Sequence, residues 1–312
     1  MRQVSIVIPV YNEEESLGHL YNKLKELEGF EWEAICVNDG SKDKSLEILR
    51  EIASRDPRIK VINFIKNYGQ TPAMAAGFQK AKYPVVVPMD ADLQNDPADI
   101  PKLLDKMDTG YDVVSGWRKN RQDKAISRIL PSKMANGMIS YITGVKLHDY
   151  GCTLKAYKRE IIQEIKLYGE MHRFIPAYAA WHGAKVTEIV VQHHPRQYGQ
   201  AKYGIARTFK VVLDLLVVKF LMDYSTRPIH FFGKAGFWSF LVSFIAVLLA
   251  LYFKFFGDKS LIQTPLPLMA ALFFIVGAQF ILMGILAEMM TRHYHEGLDR
   301  TIYKIKDKIN FE

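Results

Sequence analysis

Residues 83–97 read YPVVVPMDADLQNDP. An uncharged, mostly apolar run from Tyr83 to Met89 stops at Asp90, and a second acid, Asp92, follows. So short and continuous a run suits a strand buried on both faces, as in a parallel sheet. Acids placed directly after it stand at the strand's carboxyl end, where open α/β sheets receive ligands. An isolated D-x-D triplet is common, but here it closes a buried strand and is followed by Gln94 and Asp96.

The same pattern repeats upstream and downstream. Val4 to Val10 (VSIVIPV) ends at Tyr11 and Asn12, and Leu17, Leu20, Leu24 and Leu27 then recur at helical spacing. Glu33 to Val37 gives a second strand ending in NDGS, and Ser45 to Ser54 a helix. Lys60 to Ile65 gives a third strand, Thr71 to Lys82 a helix of small residues, and Tyr111 to Ser115 a further strand. Alternating strands and helices with nearly continuous apolar strands imply an α/β fold, a mostly parallel sheet with flanking helices. Pro9, Tyr11, Glu13, Asp39, Asp90 and Asp92 all fall at the same end of such a sheet.

The first strand–helix turn has no GxGxxG, and no GxxxxGK[ST] occurs, which disfavours dinucleotide and P-loop sites. The acids suit a nucleotide diphosphate sugar. Asp39 can accept hydrogen bonds from a base N–H or ribose hydroxyls, and Asp92 can hold Mg²⁺ or Mn²⁺, hard cations that bridge phosphates.

Hydrophobicity is uneven along the 312 residues, of which 49% are apolar. Ala235 to Phe253 is a 19-residue run without charge, and Leu266 to Ala287 is another. The first spans roughly 28 Å as a helix, about the hydrocarbon thickness. Lys219, Arg227 and Lys234 precede the pair and Arg292, Arg300, Lys304, Lys306 and Lys308 follow it, whereas the connecting loop holds only Lys254 and Lys259. That bias places both termini in the cytoplasm of a multi-pass inner (plasma) membrane protein. Residues 204–224 are apolar but interrupted by Arg207, Lys210, Asp214, Lys219 and Asp223, the pattern of amphipathic helices on a membrane surface. The expected organisation is a cytoplasmic domain at 1–203, juxtamembrane helices at 204–230, two spans within 231–291 and a basic tail at 292–312. Gly277 and Gly284 are candidates for close helix contact, by which spans of neighbouring subunits could form a homo-oligomer. The N-terminus lacks the small-residue cleavage site of a signal peptide, and Cys36 and Cys152 show no CxxC spacing, which fits a reducing compartment. The net charge of +8 is better assigned to lipid than to nucleic acid once the spans are recognised.

VSIVIPVYNEE, VNDGSKD and MDADLQNDP resemble the GT-A-fold family-2 glycosyltransferases, above all the dolichyl-phosphate mannose synthase-like and bacterial polyprenyl-phosphate glycosyltransferase branch. The resemblance continues through GWRKNRQD, SRILPSKMAN, LHDYGCTLKAYKRE and HHPRQYGQAKYG. It implies that Pro9, Tyr11, Glu13 and Asp39 hold the nucleoside, that Asp90 contacts ribose or sugar, and that Asp92 and Gln94 hold the metal. Arg118, Arg128, Ser132 and Arg196 are then the acceptor-phosphate candidates, with Lys202 beside a Gly-rich turn. Asp149 corresponds to an acid near the donor sugar, either a base or a sugar-orienting group. Ala201 departs from the pattern where similar proteins often carry Ser, so one hydroxyl contact to phosphate is missing. His193 and His194 are expected to close a strand.

The implied reaction is inverting transfer of a hexose, glucose first, from a UDP-sugar to polyprenyl (undecaprenyl) phosphate for the cell envelope. GlcNAc, galactose, mannose and aminoarabinose-type donors are the alternatives. A processive polysaccharide synthase would add a QxxRW motif and more spans, and neither is present.

Overall fold

The computed structural model describes residues 1–119, 130–165, 167, 171–195, 219–220, 223–224, 227–257, 260–296 and 303–311. The chain forms two compact units, Met1–Lys219 with Thr301–Glu312, and Phe220–Arg300.

The first unit is built on one sheet in the order β7-β5-β6-β4-β1-β2-β3-β8. Its strands are β1 (Arg2–Val10), β2 (Phe30–Asn38), β3 (Ile59–Phe64), β4 (Val85–Pro88), β5 (Val113–Trp117), β6 (Lys155–Lys158), β7 (Val186–Val190) and β8 (Ile305–Ile309). β1 pairs in parallel with β2 and β4, and β2 with β3. β6 runs antiparallel between β4 and β5, and β7 pairs in parallel with β5. Every strand expected from sequence is present, and the sheet is mixed rather than wholly parallel. β1 and β2 bury nearly every position, as strands covered on both faces must.

Among the described residues the α-helices of this unit are α1 (Leu17–Lys25), α2 (Ser45–Arg55), α3 (Gln70–Lys80), α4 (Ile100–Asp108), α5 (Leu130–Thr143), α6 (Arg159–Glu164) and α7 (Ile175–Trp181). Leu17, Leu20, Leu24, Leu49, Leu103 and Leu104 join Val4, Ile6, Ile8 and Cys36 in one core on one face of the sheet. α3 covers the other face at very close range: a Cβ on its Gly77 would sit 2.2 Å from Val7 Cγ1. The small-residue composition of 71–82 is therefore a packing requirement, not weak amphipathicity.

The sequence reading treats 292–312 as a basic tail, and here the structure corrects it. Ile305–Ile309 is an edge strand, antiparallel to β3. Ile305, Asp307 and Ile309 are half-buried while Lys306 and Lys308 are exposed, the period of two of a strand. Its lysines face water, a common way of blunting a sheet edge. β6 was missed because KAYK carries no apolar run, although its Lys155 is buried.

The second unit is a helical hairpin, α8 (Ile229–Phe256) and α9 (Leu266–Glu296), each long and apolar enough to cross a membrane. Its seam is made of small residues: Gly236, Ser243, Ala246 and Ala250 are buried in α8, facing Ala270, Gly277 and Gly284. Ser243 Oγ donates to the Ala270 carbonyl at 2.7 Å. A Cβ on Gly277 would meet Phe240 Cδ1 at 2.9 Å and one on Gly284 would meet Ile229 Cδ1 at 2.6 Å. These glycines therefore let the two helices of the hairpin approach closely. Phe237, Trp238, Phe244, Leu272, Phe274 and Leu282 point outward and are exposed, which is unlike the core hairpin of a water-soluble protein. Most of the amphipathic segment 204–224 lies outside the described residues.

Candidate active site

The carboxyl ends of β1 and β2 are stitched together by hydrogen bonds between their turns. Asn12, in the left-handed region at φ 53°, donates its N–H to Ser41 Oγ at 3.0 Å and accepts Lys42 N–H at 2.8 Å. Glu13 N–H donates to Ser45 Oγ at 2.8 Å. Half-buried Pro9, Tyr11 and Glu13 are thus carried on a fixed turn. Asp39 follows β2 and is 3% exposed. Its two carboxylate oxygens accept the backbone N–H groups of Tyr68 (2.6 Å) and Gly69 (2.8 Å), in the loop after β3. Burial pushes the Asp39 carboxyl up to about 6, even though both N–H groups favour the ionised form. Next to it Gly40 has φ 68°, and a Cβ there would lie 2.5 Å from the Lys66 carbonyl carbon. Only glycine lets these two turns approach so closely.

Asp90 and Asp92 leave β4 as expected. Asp90 accepts Gln70 Nε2 at 2.8 Å and Thr153 Oγ1 at 2.7 Å, so it is oriented by the start of α3 and by the loop before β6. Asp92 is buried and accepts the Gln94 N–H at 3.2 Å. Between them and Gln94, Leu93 holds φ 60°, a conformation that costs a branched side chain of order 1 kcal/mol. The turn is pinned from outside. His193 bridges Asn95, His194 N–H donates to the Gln94 carbonyl at 2.9 Å, and His194 Nε2 lies 3.0 Å from Asp96. The histidine pair thus clamps the acid turn, a role its spacing did not disclose.

Among the described residues no three His, Cys, Asp or Glu side chains gather as a metal cage. A divalent ion fits nevertheless: Mg²⁺ is commonly held by one or two carboxylates with substrate phosphates and water completing the shell, and Asp92 with half-buried Gln94 offers oxygen donors of that kind.

The third acid, Asp149, is paired with a residue to which sequence gave a different task. Arg118, just after β5, donates Nε to Asp149 Oδ2 at 2.7 Å and Nη2 to Oδ1 at 3.0 Å. Burial works against the guanidinium charge, but the carboxylate beside it holds Arg118 above its ordinary value. Asp149 Oδ1 also accepts Gly151 N–H at 3.0 Å. Buried Lys155 donates to the carbonyls of Tyr150, at 3.1 Å, and Cys152, fixing the turn on both sides of Gly151. Burial pushes Lys155 down to about 8. Thr153 continues this loop to Asp90, so Asp90 and Asp149 belong to one connected patch. Arg173 borders it, with Nη1 at 3.8 Å from where a Gly151 Cβ would be, and His172 Nδ1 lies 2.7 Å from Thr71 Oγ1. Gln70, Thr71, Thr153, Lys155, His172 and Arg173 went unrecognised in the sequence because no periodicity or acid pair marks them.

Arg128, Arg196 and Lys202, with the side chain of Ser132, lie outside the described residues. Of the acceptor-phosphate candidates the structure therefore places Arg118 alone.

A family model described as "Glycosyl transferase family 2" matches residues 5–166. The chain is 42% identical to a dodecaprenyl-phosphate galacturonate synthase of Rhizobium johnstonii, over 94% of this chain and 89% of that protein. It is 40% identical to an undecaprenyl-phosphate 4-deoxy-4-formamido-L-arabinose transferase of Pectobacterium atrosepticum, over 99% and 94%. Among solved structures, glucosyl-3-phosphoglycerate synthase of Mycobacterium tuberculosis with phosphoglyceric acid superposes at a TM-score of 0.55, with 18% identity over 69% of this chain and 79% of that one. The same enzyme with Mn²⁺, UDP and phosphoglyceric acid gives 0.54, at 16% identity over 70% and 78%. At such identities the likeness is one of fold, the GT-A sheet.

Proposed function

This chain belongs to glycosyl transferase family 2, and from that premise we propose that it transfers a sugar from a nucleoside diphosphate donor to the phosphate of a polyprenyl carrier at the membrane. The observation that carries it is the patch of Asp90, Asp149 and Arg118 at the carboxyl ends of β4 and β5, in a chain that also carries an apolar hairpin with its large side chains facing outward.

The relatives' names move the donor away from glucose, the first expectation, toward galacturonate or a 4-formamido-arabinose. The second of these falls within the aminoarabinose-type alternative; the first is a uronate that the sequence reading did not include.

Asp39 and the turn of Pro9, Tyr11 and Glu13 receive the nucleoside, and Asp90 orients ribose or sugar. Asp92 and Gln94 would hold Mg²⁺ or Mn²⁺, which supplies charge stabilisation for the departing diphosphate. A phosphate oxygen of the acceptor attacks the anomeric carbon as the bond to the diphosphate breaks, with inversion. That oxygen is already anionic near neutral pH, so it has no proton that must be removed. Asp149, with both oxygens engaged by Arg118, serves as a fixed negative wall that orients sugar and guanidinium. The membrane assignment draws support from β8: the chain enters α8 from the catalytic unit and is back in its sheet after α9, as an even number of crossings requires.

The test uses the full chain in nanodiscs with undecaprenyl phosphate, Mn²⁺ and UDP-galacturonate, UDP-4-deoxy-4-formamido-L-arabinose or UDP-glucose. UDP release that depends on the lipid, with formation of one glycolipid, is the expected result. Donor hydrolysis without glycolipid would overturn it.

A further inference from the structure

The segment that returns from the hairpin does more than extend the sheet. Tyr303 is 6% exposed, and its ring stacks on Phe64, centroids 5.0 Å apart at 19°. Phe64, the last residue of β3, meets Tyr68 edge-on at 5.6 Å. Tyr68 is the residue whose N–H reaches Asp39. The Tyr303 hydroxyl also donates to Gln79 Oε1 on α3 at 2.6 Å, and the first residue of α3, Gln70, holds Asp90.

A second, polar path runs beside this aromatic one. Asp307 accepts Arg50 Nη2 at 2.7 Å and Asn63 Nδ2 at 2.6 Å. Asn63 Oδ1 in turn accepts Asn38 Nδ2 at 2.9 Å, and Asn38 directly precedes Asp39. Asn38 and Asn63 are 1% and 3% exposed, so these bonds are made away from water, where a lost partner is costly. Asn310 pins the far end, donating Nδ2 to the carbonyls of Ala53 and Ile59 at 2.8 Å each. The two paths converge on Asp39, one on its backbone neighbour and one on the loop that caps its carboxylate.

We propose that residues 303–310 are a positioning element for the donor site: Tyr303 and Asp307 set the Lys66–Gly69 loop and the end of β2 around Asp39, and so tie nucleotide binding to the segment that leaves the membrane hairpin. Neither residue touches substrate. Both act through Asp39, so the proposal rests on the nucleotide-binding role given to that acid above.

The experiment compares Tyr303→Leu, Tyr303→Phe, Asp307→Ala, Asp307→Asn and Asp39→Ala in the full-length protein. UDP binding with Mn²⁺ is measured by calorimetry, donor KM and kcat by turnover, and amide hydrogen exchange at 66–69 by mass spectrometry. Tyr303→Leu and Asp307→Ala are expected to weaken UDP binding and raise donor KM about tenfold, with kcat within about twofold and faster exchange at 66–69. Tyr303→Phe keeps the stack and should recover most of the loss. Should the harsher variants fail to fold, Asp307→Asn and Tyr303→Phe decide, each expected to raise donor KM about threefold or less but measurably. If Asp39→Ala weakens UDP and no variant at 303 or 307 changes binding or exchange at 66–69, the positioning proposal is overturned. If Asp39→Ala itself leaves UDP binding unchanged, the nucleotide assignment of Asp39 is what fails.

Discussion

Replacing Asp39 with asparagine separates what that carboxylate does for the fold from what it does for the donor. In the wild-type protein the carboxyl is pushed up to about 6 from an ordinary 3.8. Holding it ionised in the folded state at pH 7.5 thus costs about 3 kcal/mol relative to the unfolded chain. Asparagine removes that cost. It also turns one acceptor oxygen into an NH₂ group facing either the Tyr68 or the Gly69 N–H, both now within 2.8 Å of an oxygen. Leaving one buried N–H without an acceptor costs about 1–3 kcal/mol. The two effects oppose each other, and Asp39→Asn should change stability at pH 7.5 by no more than about 2 kcal/mol in either direction.

The pH dependence carries the sign. A carboxyl whose folded value is raised binds its proton in the folded chain first. Its stabilising contribution is fully present below about pH 4 and is lost as pH rises through about 6. Wild-type protein should therefore gain stability at this site on acidification from pH 7 to 5, a gain absent from Asp39→Asn. Donor binding moves the other way, since the variant loses a charged acceptor worth about 1.5–3 kcal/mol, or roughly 10–100-fold in affinity for UDP. Urea denaturation at pH 5, 6 and 7.5, with calorimetric titration of UDP and Mn²⁺, measures both. A variant that keeps the wild-type pH slope, or that binds UDP as tightly as wild type, would refute the assignment.

Arg118→Lys replaces a two-pronged donor by a point charge, and Arg118→Ala takes the guanidinium fork away from the buried Asp149 carboxylate. The first should lower turnover by about tenfold or more, and the second should also cost about 3–5 kcal/mol of stability, read by glycolipid formation and urea denaturation. Gly116→Ala would bring a methyl to 2.7 Å from the Leu154 carbonyl oxygen and 3.0 Å from Cys152 Sγ. It should destabilise the first unit by about 1–3 kcal/mol, seen as a lower urea midpoint. Gly277→Leu fills the helix seam at Phe240 and should lower the melting temperature in detergent, whereas UDP affinity, a property of the other unit, should hold.

The parts of the fold that sequence made legible are those written in local pattern. β1 to β5 are built around short apolar runs, and Asp39, Asp90 and Asp92 stand just beyond the ends of β2 and β4. α8 and α9 are legible for the same reason, through long uncharged runs. β6 and β8 are not, since KAYK and IKDKI each carry two lysines in so short a stretch and resemble a loop or tail until their sheet partners are known. Nor are Thr153 and His172, whose positions at the site depend on hydrogen bonds to residues 63 and 101 positions away. The sequence pattern around a site acid is local; the group that aims it is usually not.

The pairing of Arg118 with Asp149 changes the chemistry that either residue can be given alone. As a base, Asp149 would have to take a proton on an oxygen already occupied by a guanidinium N–H, at 2.7 or 3.0 Å, and in doing so would leave Arg118 buried beside a neutral acid. As an isolated phosphate ligand, Arg118 would have to give up the fork that holds Asp149. Neither step is required. Arg118 spends Nε and one Nη2 hydrogen on the carboxylate and retains its other N–H donors for an incoming anion. A phosphate approaching it brings its own charge and its own nucleophilic oxygen. Asp149 then fixes where the guanidinium points, and Asp90, tied to the same loop through Thr153, would on the proposed function fix the donor side. In the proposed transfer the barrier would be lowered by holding two anions at the right separation on either side of the anomeric carbon, a task for rigid charges rather than for a mobile proton.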